Sequence, residues 1–175
     1  MSRRAKPIHG LERFDNVGRE PMPALPQRLV CFPSTRSLGQ LFVRAWAPER
    51  YTFWEQFGEA CGSVLVPAGK ELRLNVSPHA STDLSPLAGL CADDLQYLQL
   101  SGTRVGNADL AHLQGLTGLR VLWLYDTRVG DAGLIYLRGL RGLRVLNLRS
   151  TLVSGGGVDA LQQHLPECEI RRAWT

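Results

Sequence analysis

Residues 119–142 read LRVLWLYDTRVGDAGLIYLRGLRG, and the 24 residues before them, 95–118, read LQYLQLSGTRVGNADLAHLQGLTG. Thirteen of the 24 aligned positions are identical. The next block, 143–166, reads LRVLNLRSTLVSGGGVDALQQHLP and matches its predecessor at nine of 24. The period is carried by Leu98/Leu122/Leu146, Leu100/Leu124/Leu148, Thr103/Thr127/Thr151, Val105/Val129/Val153 and Leu113/Leu137/Leu161. A helix repeats about every 3.6 residues and a strand about every two, so neither produces this spacing. A stacked supersecondary unit does.

Inside a unit, Leu122 and Leu124 alternate with Val121 and Trp123, the pattern of a short strand with one face inward. A threonine then turns the chain. Leucines 134, 137 and 140 step by three, which suits a short helix or 3₁₀ turn packed behind the strand. Asn107 and Asp131 stand where a side-chain oxygen would cap the first free amides of that helix. Working outward, Leu72, Leu74 and Val76 alternate with polar residues, and Leu74 and Val76 lie 24 residues before Leu98 and Leu100. At the other end Ile170 keeps the register, while Arg172 takes the place of Leu148. The stack is expected to stop there.

The pattern resembles that of bacterial leucine-rich repeat proteins, whose units run L-x-x-L-x-L-x-x-T-x-V-T-D-A-G-L-x-x-L. The likeness covers about residues 84–170. Thr103, Thr127 and Thr151 match it, and Gly106, Gly130 and Ser154 replace its second threonine. Asp83-Leu-Ser-Pro-Leu-Ala-Gly-Leu90 and Leu165-Pro-Glu-Cys-Glu-Ile170 resemble the linking and terminating segments. The resemblance implies an α/β fold: a solenoid with a short parallel sheet on its concave face and a β-rich N-terminal cap. A solenoid's ends expose apolar faces and need covering. Residues 31–76 are expected to be the N-terminal cap, and 77–175 the repeats with a C-terminal cap. In the cap, Leu41-Phe-Val is a strand candidate, and 64–74 reads as two strands around Pro67-Ala-Gly69, where Gly supplies positive φ. Phe53, Trp54 and Phe57 are expected to cover the first coil.

Composition sets the class. The chain has 175 residues, 44% hydrophobic and 21% charged, with a formal net charge of +4. That length supports one domain with a real core. No run of about 18 apolar residues is present, which excludes a membrane-spanning helix. Met-Ser-Arg-Arg-Ala-Lys-Pro at the start carries charge but no apolar stretch behind it, so no secretory signal is expected and a cytoplasmic location is. Residues 1–30 hold six basic against three acidic side chains, plus Pro7, Pro21, Pro23 and Pro26, without a sustained apolar period. They read as an irregular basic leader. Cys31, Cys61, Cys91 and Cys168 show neither zinc-site spacing nor a disulfide framework, so buried free thiols in a reducing compartment are expected.

Catalytic motifs fail on spacing. Gly69-Lys70 would need Gly at 64 and Ser or Thr at 71 to form a phosphate loop, but those positions are Val64 and Glu71. Gly155-Gly-Gly157 reads as a flexible loop outside any strand–Gly–helix context. His9, His79, His112 and His164 are scattered, and no G-x-S-x-G elbow occurs. No nucleophile, base and stabiliser come together in sequence, so no enzyme activity, cofactor or metal is expected.

The variable strand positions say more. If Leu98, Leu122 and Leu146 point inward, alternation sends Tyr97, Gln99, Trp123, Tyr125, Asn147 and Arg149 to one concave surface. Trp, Tyr and Arg dominate binding hot spots. Arginine also outnumbers lysine 18 to two, which suits bidentate contacts to carboxylate or phosphate and equally suits a GC-rich coding bias. The expected function is a non-enzymatic protein–protein interaction module or accessory subunit, bacterial and cytoplasmic, binding its partner on that face. The alternative is a nucleic-acid or ribonucleoprotein accessory using the arginines and the basic leader. A regulatory fragment attached to an enzyme is a third reading, and no membrane partner is expected.

Overall fold

The 24-residue register of the leucines is the register of a sheet. In the computed structural model, which describes residues 26–45, 53–78 and 83–172, Leu74 pairs with Leu98, Leu98 with Leu122, Leu122 with Leu146 and Leu146 with Ile170, all in parallel. The strands are β1 (Arg28–Cys31), β2 (Gly39–Ala45), β3 (Glu55–Glu59), β4 (Ser63–Val66), β5 (Lys70–Val76), β6 (Tyr97–Gln99), β7 (Val121–Trp123), β8 (Val145–Asn147) and β9 (Glu169–Arg171). Seven form a mixed sheet in the order β3-β2-β5-β6-β7-β8-β9, antiparallel on the β3-β2-β5 side and parallel from β5 to β9. The strands expected near 98, 122 and 146 are therefore parallel neighbours. The described chain is a mixed α/β structure.

Each parallel strand is followed by a crossover whose leucines pack behind the sheet. These crossovers hold 3₁₀ helices at Ser85–Gly89, Ala108–Leu113 and Asp131–Leu137, and helix α1 at Gly155–Gln162. Leucines 98, 100, 113, 116, 122, 124, 137, 140, 146 and 148 are all within 1% of full burial. Burying one such side chain is worth about 1.5–3 kcal/mol, so the leucine columns supply most of the cohesion.

The other periodic residues have local duties. The hydroxyls of Thr103, Thr127 and Thr151 donate to the carbonyls of Leu100, Leu124 and Leu148 at 2.6, 2.8 and 2.6 Å. A short side chain bonding its own backbone holds the turn that ends each strand. Left-handed backbone recurs at the same step, at Gly102 (φ 70°), Asp126 (φ 55°) and Ser150 (φ 54°). Asn107 and Asp131 do not cap their own helices. Asn107 Oδ1 instead accepts from Gly130 N at 2.7 Å, and Asp131 Oδ1 from Ser154 N at 2.8 Å. In these two units the side chain thus ties to the following unit. Only Ser154 caps in the expected sense, its Oγ accepting from Gly157 N at 3.0 Å at the start of α1. The three glycines expected to be a loop are the first turn of that helix.

The N-terminal half departs from expectation in pairing. The two strands flanking Pro67-Ala-Gly69 form, and Gly69 has φ 70°. They join different sheets, however: β4 pairs antiparallel with β1 in a separate two-stranded ribbon, and β5 enters the large sheet. Strand β1 starts at Arg28, inside the segment expected to be an irregular leader, and residues 1–25 of that leader lie outside the described residues. Phe57 packs against the core, but Phe53 is 72% exposed and does not cover it. The thiols differ too: Cys31, Cys61 and Cys91 are exposed and only Cys168 is buried. Among the described residues no helix is long and apolar enough to cross a membrane.

Candidate functional site

The face of the sheet opposite the leucine columns carries two rows, fixed by register. One runs Arg73–Tyr97–Val121–Val145–Glu169 and the other Asn75–Gln99–Trp123–Asn147–Arg171. Strand neighbours lie about 4.8 Å apart, so each row is a line of side chains about 19 Å long. Of the six predicted residues, Gln99, Trp123 and Asn147 share the second row and are half-buried. Tyr125 and Arg149 follow just past the ends of β7 and β8, Tyr125 being exposed and Arg149 half-buried. Tyr97 lies on the same face but in the first row. It is 6% exposed and packs with Val121, Val145, Trp54 and Trp123 in a small apolar cluster of its own.

Tyr97 is buried because the antiparallel strands fold an aromatic–cation stack over it. The Trp54 ring meets Tyr97 edge-on at 4.7 Å and 75°. The Arg44 guanidinium lies 4.5 Å from the Trp54 centroid and 4.7 Å from that of Tyr97, and its Nη2 donates to the Tyr97 hydroxyl. Arg44 Nε also donates to Glu71 Oε2 at 2.7 Å, with both side chains 2% exposed. Glu71 Oε1 is buried without a hydrogen-bond partner. Beside this cluster burial pulls the half-buried Arg120 below its ordinary pKa, opposed by the nearby charges of Glu71 and Tyr97; an arginine stays protonated regardless.

The stack needs a firm seat, and Arg28 and Gln96 provide one. Arg28 donates to Lys70 O at 3.1 Å, Asp94 O at 3.2 Å and Gln96 Oε1 at 2.9 Å. That Gln96 oxygen also accepts from Leu72 N at 2.9 Å, while Gln96 Nε2 donates to Asp93 O at 2.6 Å. Gln96 occupies the periodic position of Arg120 and Arg144, but it is 1% exposed. A neutral amide there satisfies buried backbone groups without burying a charge.

The second row has a consistent polarity. Asn75 Oδ1 accepts from Arg73 Nε at 2.7 Å, Gln99 Oε1 from Ser101 N and Oγ at 3.2 and 2.8 Å, and Asn147 Oδ1 from Arg149 N at 3.1 Å. Every amide oxygen of the row is committed to its own strand. Arg171 closes the row, with Nε on Glu169 Oε1 at 2.6 Å. Arg73, Tyr97, Gln99, Val121 and Trp123 line a shallow depression.

Arg73 and Arg171 were not among the expected site residues, although the 24-residue period already marks them, one unit before Tyr97 and one after Asn147. Arg44 lies on β2 and Trp54 just before β3, both outside the repeat, and no spacing points to them. Among the described residues no group of three His, Cys, Asp or Glu side chains is placed to hold a metal ion. Neither a scan against protein-family models nor a search of curated proteins finds a match to this chain.

Proposed function

We propose that the chain is a leucine-rich repeat solenoid of the bacterial type, acting as a non-enzymatic protein-binding module or accessory subunit whose partner docks on the concave strand face. The observation that carries this reading is Trp123. It sits in the middle of the Gln99–Trp123–Asn147 row on the side of the sheet away from the leucine core, half-buried against the Tyr97–Val121–Val145 cluster. Hot-spot aromatics at the centre of an interface contribute about 2 kcal/mol or more. Of the seven arginines that a nucleic-acid reading relies on, Arg104, Arg128, Arg138 and Arg141 are exposed, Arg120, Arg144 and Arg149 are half-buried, and all seven lie outside the strands.

The test starts from a photo-crosslinking amino acid placed at position 123, with position 138 as control, to capture and identify the partner. The purified partner is then titrated against variants. Trp123→Ala is expected to weaken binding by about tenfold or more and Arg138→Ala to leave it unchanged. Wild-type affinity in Trp123→Ala with a strong loss in Arg138→Ala, and a steep salt dependence of the kind counterion release produces, would transfer the function to the arginines and nucleic acid.

A further inference from the structure

We propose that the antiparallel end of the large sheet holds a binding site for a neutral oligosaccharide, independent of whatever docks at Trp123. An open cavity of about 450 Å³ lies where β2, β3 and β5 run side by side, and Gln40, Phe42, Glu59, Asn75 and Ser77 line it. Small-molecule sites have volumes of that order. Register builds this one. Gln40 pairs with Glu59 of β3 on one side and with Asn75 of β5 on the other. Leu41 and Val43 belong to the leucine core, so alternation sends Gln40 and Phe42 to the opposite face of the sheet. With strands about 4.8 Å apart, Glu59, Gln40 and Asn75 form a polar line about 10 Å long. Gly39, at φ 149°, starts β2 so close to β5 that a Cβ there would collide with the Asn75 carbonyl oxygen. That close approach seats Gln40 firmly beside Asn75.

The hydrogen bonds within the line decide what it offers. Gln56 Nε2 donates to Gln40 Oε1 at 3.0 Å, and Gln40 Nε2 donates to Glu59 Oε1 at 3.4 Å. Arg73 Nε holds Asn75 Oδ1 at 2.7 Å, which turns the Asn75 NH₂ outward. Four groups are left over: the Oε2 atom of Glu59, one amide hydrogen of Gln40, the NH₂ of Asn75 and the hydroxyl of Ser77. None of them has a partner among the described residues. The line therefore runs from an acceptor at Glu59 to donors at Gln40 and Asn75. A carboxylate or phosphate brings acceptors alone and would be opposed by Glu59. An ammonium brings donors alone and would be opposed by the Asn75 amide. A hydroxyl both donates and accepts, so a ligand carrying a series of hydroxyls satisfies the line from end to end. The half-buried Phe42 ring beside it suits the C–H face of a sugar, since an aromatic face is electrostatically negative. The line outreaches a single sugar ring, which points to an oligosaccharide.

Two isosteric substitutions test this while keeping the internal bonds. Glu59→Gln retains an oxygen for Gln40 and turns the outward acceptor into a donor. Asn75→Asp retains the oxygen that Arg73 holds and turns the outward donor into an acceptor. The isotope-labelled full chain is titrated by NMR with cellohexaose, maltohexaose, laminarihexaose and N-acetylated chitohexaose, with hexagalacturonate as the anionic comparison. At least one neutral sugar should shift the side-chain NH₂ signals of Gln40 and Asn75, and hexagalacturonate should bind at least tenfold more weakly. Each substitution should weaken the neutral sugar by at least tenfold with melting unchanged, because a hydrogen bond to a charged or fixed group is lost and a like group is set against the ligand. Absence of those shifts with every neutral sugar overturns the proposal. So does tighter binding of hexagalacturonate, or neutral-sugar binding that survives both substitutions.

Discussion

Arg44→Met should be among the most damaging single substitutions in this chain, and pairing it with Glu71→Leu should undo most of the damage. Arg44 and Glu71 face each other in register across β2 and β5, 2.7 Å apart and each 2% exposed. Removing one member of such a pair leaves a buried charge with no compensation, which costs about 3–5 kcal/mol. Arg44→Met also forfeits the stack on Trp54 and Tyr97, worth about 0.5–2 kcal/mol, so we expect a loss near the top of that range. Glu71→Leu leaves the guanidinium its two rings and should fall near the bottom. The double variant removes both charges, together with the Glu71 Oε1 atom that has no partner. Replacing a buried ion pair by apolar side chains of similar volume is often neutral or stabilising. The double variant should therefore lose no more than about 1–2 kcal/mol, the residue of the lost stack. Urea unfolding followed by far-ultraviolet circular dichroism measures all four chains at constant slope. A double variant as unstable as the sum of the singles would show that the two groups do not act as a pair.

Three further outcomes are expected. Leu122→Ala, at a fully buried position between Leu98 and Leu146, should cost about 2–5 kcal/mol; an unchanged thermal melt would contradict its place in the core. Iodoacetamide at mildly alkaline pH should label Cys31, Cys61 and Cys91 in the folded chain and spare Cys168, whose thiol is pushed up to about 12 by burial. All four should label in denaturant, and native labelling of Cys168 read by mass spectrometry would mean its crossover is open. The Asp131 carboxyl is held below its ordinary 3.8 by the hydroxyl and amide of Ser154. A folded value below the unfolded one stabilises fully above pH 3.8, and the contribution is lost as pH falls through the folded value. The carboxyl midpoint measured by NMR should rise toward 3.8 in Ser154→Ala, and an unmoved midpoint would refute the assignment.

The parallel half of the fold was legible because its cause is periodic. Leu98, Leu122 and Leu146 meet the same neighbours one unit apart, so one reading serves every copy. Gln99, Trp123 and Asn147 followed by alternation alone. Tyr97 did not, because its burial depends on Trp54 and Arg44, which come from a part of the chain that carries no repeat. Arg28 was read as part of a leader since nothing local shows that its guanidinium reaches Asp94 and Gln96. The pairing of β4 with β1 rather than with the adjacent β5 was equally hidden, for Pro67 and Gly69 specify a turn and not what the strands on either side will pair with. Asn107 and Asp131 do not make the helix caps that their positions suggest, because cap chemistry is local and cannot show that their donors lie 23 residues ahead.

Those two bonds give the molecule a direction. Asn107 waits for Gly130 and Asp131 for Ser154, so neither of these two units has all its hydrogen bonds until its successor exists. A ribosome that delivers the chain from residue 1 onward leaves the newest turn unfinished until about two dozen more residues have emerged. The series ends at Ser154, whose hydroxyl donates to Asp131 Oδ2 and accepts from Gly157 N, so this side-chain ladder closes on helix α1. Unravelling should run the other way: once α1 detaches, Asp131 loses both donors, and the turn before it becomes the new loose end. Hydrogen exchange along this half of the chain should accordingly be graded, with amide protection decreasing from Leu98 toward Leu146.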